Sequence, residues 1–239
     1  IMRAPSFRPR LPCGVLRATG LGLLLLVGCD WRTPAQVPGA PGTLDLTDYS
    51  SGLDDWRTRQ VDIGKLPPLR LEGANDSLTM VVSAKGGISS RWRRKVRWDA
   101  ESHPVLTWSW GLDHMVDSAR FPRRRGPASV LAVDVTLASA FGFHKTIRYT
   151  WSARADKGAA WAERDSWHAK VRVLRDVRDS VGTMLPECID VWKDFATLWG
   201  FTPRHQALAI AVSVQDPGDS NRIEGRFGGI FATSIPETP

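Results

Sequence analysis

Cysteine is scarce in this chain: three among 239 residues, at positions 13, 29 and 188, too few for a disulfide framework. Long apolar runs are also missing. The one strongly apolar stretch, Leu21 to Val27, is well short of the roughly 20 residues a spanning helix needs, which excludes a polytopic membrane protein. Catalytic signatures are absent. The histidines at 103, 114, 144, 168 and 205 show no metal-ligand spacing, and no H-E-x-x-H, Cys-x-x-Cys, G-x-S-x-G or S-x-x-K pattern occurs. No catalytic residue, metal ligand or cofactor is therefore assigned. Internal repeats and low-complexity blocks are absent as well. Apolar residues make up 42% and charged residues 24%, which excludes wholesale disorder. Tyrosine is nearly missing too, at two residues, whereas tryptophan reaches 11.

The N-terminus reads as an address. Residues 1–28 hold Arg3, Arg8, Arg10 and Arg17 and no acid, followed by the short apolar run and Gly28. That order describes a secretory signal peptide. Leu26-Val27-Gly28-Cys29 resembles a bacterial lipobox. The resemblance implies cleavage before Cys29, acylation of the Cys29 sulfur and new amino group with palmitate-type chains, and anchoring in a lipid bilayer on the periplasmic side of the envelope. An ordinary signal peptide with a chance cysteine is the alternative. Asp30 resembles an inner-membrane retention residue, and the choice between inner and outer membrane stays open. The formal charge of +7 falls to +3 once the four leader arginines are removed, so nucleic acid is not an expected partner. Cys13 is lost with the leader and Cys29 is acylated, so the mature domain is expected to lack an internal disulfide and to carry Cys188 as a buried thiol. Residues 29–43, rich in Pro and Gly, read as an extended tether, and residues 44–239 as a single domain.

Period-two alternation dominates the domain. Leu106–Leu112, Leu131–Leu137, Ile147–Trp151 and Leu208–Val214 each alternate apolar with small or polar residues, the mark of a half-buried strand. Weaker strands are expected at Leu69–Leu71, Leu78–Ala84, Ser90–Arg97, Lys170–Leu174 and Arg226–Ser234. One helix is expected after Asp190. Val191, Phe195, Leu198 and Trp199 share a face, and Gly200 ends it. Many short strands with one helix in the C-terminal half predict a mainly β fold: an antiparallel β-sandwich, jelly-roll or carbohydrate-binding-module-like.

A series of short motifs runs in order through the domain: Val105-Leu106-Thr107-Trp108-Ser109-Trp110, Ile147-Arg148-Tyr149-Thr150-Trp151-Ser152, Asp194-Phe195, Trp199-Gly200-Phe201-Thr202-Pro203, Ala209–Val214 with Gln215-Asp216, and Gly228-Gly229-Ile230-Phe231. Their order and spacing resemble the bacterial exported family known as domain of unknown function 3047, over roughly residues 56–233. The resemblance implies an exported β-sandwich and supplies no activity. Pro127 and Ala128 stand where many members carry an acidic pair.

Several features could carry function. Trp108, Trp110, Trp151 and Trp199 share faces with aliphatic residues and are expected in the core. Trp161 and Trp167 lie in a charged stretch expected to form a loop, with Arg164 between them, and are candidates for stacking on sugar rings. Arg123, Arg124 and Arg125 form a basic loop suited to an anionic glycan or envelope polymer. Arg91, Arg93, Arg94, Lys95 and Arg97 form a second basic run. Alternation there puts Trp92 and Arg94 on one face and Arg93 and Lys95 on the other; an arginine on the inner face needs a partner, and the alternative is a solvated edge strand guarded by its charges. Asp134 is expected opposite Arg148 as a cross-strand pair, the alternative being a catalytic acid. The Asp216–Asn221 turn reads as an ordinary turn or a calcium loop. Three functions follow from these features: a lipoprotein that binds a carbohydrate or cell-envelope polymer without catalysis, a scaffolding lipoprotein for another envelope protein, and an envelope glycan hydrolase.

Overall fold

The computed structural model describes residues 42–58, 69–74, 77–117, 119, 128–139, 142–163, 166–216 and 222–235. Their strands are β1 (Thr43–Asp45), β2 (Arg70–Glu72), β3 (Thr79–Ala84), β4 (Ser90–Asp99), β5 (Val105–Leu112), β6 (Ser129–Ala138), β7 (His144–Ser152), β8 (Ala160–Ala162), β9 (Ala169–Arg175), β10 (Leu185–Asp190), β11 (Gln206–Val214), β12 (Ile223–Phe227) and β13 (Phe231–Thr233), with one helix, α1 (Val191–Trp199). They form two sheets. The first has the order β1-β13-β5-β12-β3-β2, with β10 on the opposite flank of β5. The second has the order β4-β11-β6-β7-β9-β8. No helix among the described residues is long and apolar enough to cross a membrane.

The sheets pack face to face through the alternating apolar residues, so this is the expected β-sandwich. Leu106, Trp108, Trp110 and Leu112 of β5 face Leu131, Val133, Val135 and Leu137 of β6 and Ile147, Tyr149 and Trp151 of β7. Trp108 lies 5.9 Å from Tyr149, and Trp110 lies 6.3 Å from Trp151, ring centre to ring centre. Gly225 lets the sheets approach. A Cβ there would lie 2.2 Å from Leu131 Cδ1 and 2.7 Å from Val214 Cγ2.

The helix forms where capping and periodicity place it. Asp190 accepts from the Lys193 N–H at 2.8 Å, and Gly200 closes the last turn with φ 78°. Val191 and Phe195 enter the core. Because α1 joins β10 of one sheet to β11 of the other, it covers the flank between them. Arg172 of β9 meets it there through an ion pair with Asp194.

Three strands escape the alternation rule. Both β1 and β8 are three residues long, too short to show a period. In β10, Pro186 and the inward Glu187 interrupt the pattern. Pro186 is tolerated because β10 is an edge strand. Another departure is directional. The chain leaves β7, runs back along the outer edge as β8 and returns between them as β9. The β7–β9 pair is therefore parallel, in a sheet whose other pairs are antiparallel. Cys188 also differs from expectation: it is exposed on β10 and disulfide-bonded.

Candidate functional site

The outer face of the six-stranded sheet carries the second half of each alternation. Register places Arg93 of β4, Ala211 of β11, Asp134 of β6, Arg148 of β7, Val171 of β9 and Trp161 of β8 in one cross-strand row. Small residues flank the row: Ser213, Ala132 and Thr150 on one side, Ala209, Thr136 and Thr146 on the other. Long side chains stand at both edges, Arg91, Arg93 and Lys95 on β4 and Trp161 on β8. Short side chains between tall ones make a shallow floor across the sheet.

A buried ion network crosses that floor. The Asp134 carboxylate, 1% exposed, accepts from Arg148 Nε at 2.8 Å, from Arg148 Nη2 at 3.1 Å and from Arg91 Nη2 at 2.6 Å. Arg91 reaches it past the whole of β11. Arg148 Nη1 donates to Glu163 Oε1 at 2.6 Å. Burial alone would raise the Asp134 pKa, but the Arg148 and Arg91 guanidiniums outweigh it and hold the carboxyl below its usual range. The Asp134 charge in turn raises the Arg148 pKa. An ionised carboxylate buried under guanidinium donors has no proton to give and no open face for substrate. The Asp134–Arg148 pair is thus the cross-strand pair expected from the sequence. Arg91, Arg93, Lys95 and Arg148 against Asp134 and Glu163 leave the face cationic. Ser213 Oγ, buried on the same face, has no hydrogen-bond partner.

The structure separates the two candidate tryptophans. Trp161 lies in strand β8 rather than in a loop, half-buried at the end of the row. Trp167 lies in the turn before β9 and is 59% exposed, with the Lys145 ammonium 4.0 Å from its ring centre, the His168 ring tilted against it at 3.5 Å and Phe143 edge-on at 5.3 Å. Arg164, Arg123, Arg124, Arg125 and Cys29 lie outside the described residues. Arg94 points inward, and finds its partners in Leu46 O at 2.9 Å and the Asp48 and Asp55 carboxylates. Asp216 accepts from the Gly87 N–H at 2.8 Å, and the rest of that turn is outside the described residues. No group of three metal-ligating side chains occurs among the described residues. The sequence reading missed Glu163, which reaches Arg148 only because β9 is inserted beside β7. It also missed Lys145, although a lysine in phase with Ile147, Tyr149 and Trp151 is a legible oddity.

The family profile described as "Protein of unknown function (DUF3047)" matches residues 54–230, most of the chain. The chain belongs to this family. No curated protein matches it. Among solved structures, it is similar to the xyloglucanase domain of the effector NopAA of Sinorhizobium fredii, at 9% identity and TM-score 0.40, over 72% of this chain and 89% of that one. It is also similar to endoglucanase 3 of Trichoderma harzianum, at 8% identity and TM-score 0.42, over 70% and 83%. A third is the family 11 carbohydrate-binding module of Lic26A-Cel5E of Clostridium thermocellum, at 10% identity and TM-score 0.40, over 82% and 96%. At these scores the likeness transfers no function from those proteins to this DUF3047 member.

Proposed function

We propose that this DUF3047 protein binds an acidic glycan or related anionic cell-envelope polymer, without catalysis, on the outer face of its six-stranded sheet. The observation that carries this is the cross-strand row, which puts an indole and several guanidiniums on one floor of small residues. From β4 to β8 the row crosses five strand spacings, about 24 Å at roughly 4.8 Å each, room for a polymer rather than a single small ion. Guanidiniums suit carboxylate and phosphate groups through paired hydrogen bonds, and an indole offers an apolar face with a polar edge. Arg164, Arg123, Arg124 and Arg125, which lie outside the described residues, are further contacts in this reading. Trp167 is a contact of the neighbouring end rather than of the row.

A glycan array at low and high salt tests the proposal, with polyuronates and neutral glucans as probes. Polyuronate binding is expected to weaken with salt. Trp161→Ala should lower affinity roughly tenfold, the effect of about 1.4 kcal/mol. Absence of polyuronate binding, or an unchanged affinity in Trp161→Ala, would overturn it and turn the search to protein partners by crosslinking.

We also infer that Cys29 is the lipid attachment site and residues 29–43 the tether, which holds the domain on the periplasmic side of a membrane. Cys29→Ser is expected to abolish acyl labelling. Labelling that persists, or a mature mass without acyl chains, sinks the assignment.

A further inference from the structure

The buried and half-buried cations of this domain are nearly all matched with carboxylates. Arg94 faces Asp48 and Asp55, Arg148 binds Asp134 and Glu163, Arg172 pairs with Asp194, and Arg175 pairs with Glu187 and Asp179. Lys145 and Lys170 break the rule. Both project from the inner side of their strands, Lys145 opposite Leu137 and Lys170 beside Ile147. Both ammoniums lie against one indole at the end of α1, 4.4 Å and 4.7 Å from the ring centre of Trp199.

Each ammonium has three protons to donate. Lys145 Nζ gives one to the Trp167 carbonyl at 3.0 Å, and Lys170 Nζ gives one to the Leu198 carbonyl. No carboxylate among the described residues pairs with either. The Nε1–H of the same Trp199 is buried and has no acceptor. The indole face attracts each cation, but a quadrupole does not neutralise two charges. Burial lowers the Lys145 pKa, and the charge of Lys170 lowers it further, as expected of like charges held together without a counter-ion. Lys170 is half-buried. Lys145 also lies 4.0 Å from the ring centre of Trp167, which packs edge to face with Phe143; the two rings are 59% and 50% exposed.

We propose that Lys145, Lys170 and the Trp199 N–H form a second binding site, which takes the acid group of an anionic sugar while Phe143 and Trp167 border its ring. The two ammoniums and the indole N–H supply donors that an acid group would satisfy. The exposed aromatic pair supplies an apolar rim that a bare inorganic anion would leave unused. This site lies on the inner side of the sheet, at its end, and is independent of the row that contains Trp161.

The test is a tryptophan-fluorescence titration of the full chain with glucuronate, glucose 6-phosphate and glucose. Either or both acids should give a saturable change that glucose does not, and the comparison tells a carboxylate from a phosphate ligand. Lys145→Met and Lys170→Met should each weaken binding of the preferred acid tenfold or more. Made in a Trp161→Ala background, the same lysine substitutions should still weaken it tenfold or more, which separates this site from the outer face. Acids that bind no better than glucose, or lysine variants that titrate like the parent, would overturn the proposal. Should Lys145→Met fail to fold, the more exposed Lys170→Met decides it. A purely structural lysine pair would lower the melting temperature on substitution with no acid binding to lose.

Discussion

Replacing Asp134 with alanine is expected to lower the unfolding free energy by about 3–5 kcal/mol, the usual cost of leaving a buried charge unpaired. Arg148 is the charge left behind. Its side chain is 12% exposed, and Glu163 is the one carboxylate it would retain. Arg91, half in solvent, can turn outward and recover water. Urea unfolding followed by tryptophan fluorescence measures the loss, and a change within about 0.5 kcal/mol would show that the network does not hold the sheet. Asp134→Leu combined with Arg148→Met should cost less than Asp134→Ala alone, because it removes both charges and keeps the volume. The pH dependence has a defined sign. The folded Asp134 pKa lies below its unfolded value of about 3.9, so its stabilisation is present above that value. It is lost as pH falls from there through the folded pKa. The gap between parent and Asp134→Ala should therefore narrow below about pH 4.

That pair was legible in the sequence for a simple reason: β6 and β7 are consecutive, and both carry an unbroken alternation. Where neighbours in the chain are neighbours in the sheet, phase alone gives the face and the partner. The same logic grouped Arg94 with Trp92; which face turned inward was not legible, and the inward Arg94 finds its partners in Asp48 and Asp55. It also gave α1, whose cap, stripe and terminal glycine are all local. Legibility ends where the chain skips. The insertion of β9 between β7 and β8 puts Trp161 two strands from Arg148 in the same row, with Glu163 bonded to Arg148, and no local pattern encodes an insertion. Lys145, Lys170 and Arg172 were open to the phase argument but run against the expectation that inward residues are apolar. They are tolerated because α1 brings Asp194 to Arg172 and the Trp199 ring to the two lysines.

The second large effect is expected at Trp110, where a hydrogen bond and a packing term can be separated. Trp110 is wholly buried, edge-on to Trp108 at 5.7 Å and against Trp151 at 6.3 Å. Its Nε1–H donates to Glu187 Oε1 at 2.8 Å, and Arg175 Nε donates to the same oxygen at 2.6 Å. Trp110→Ala removes the donor and opens a cavity between the sheets, with an expected loss of about 3–5 kcal/mol. Trp110→Phe keeps much of the volume and removes the donor, with an expected loss of about 1–3 kcal/mol. Burial raises the Glu187 pKa, and the Arg175 and Trp110 hydrogen bonds pull it back. A carboxyl whose folded pKa is raised favours the folded state most when protonated, so its contribution declines as pH rises from about 4.3 through the folded value. Loss of the indole donor raises that value further. Trp110→Phe should therefore lose more stability, relative to the parent, at pH 7 than at pH 4. Equal losses at both pH values would mean that Arg175 alone satisfies Glu187, and that the cost of the substitution is packing.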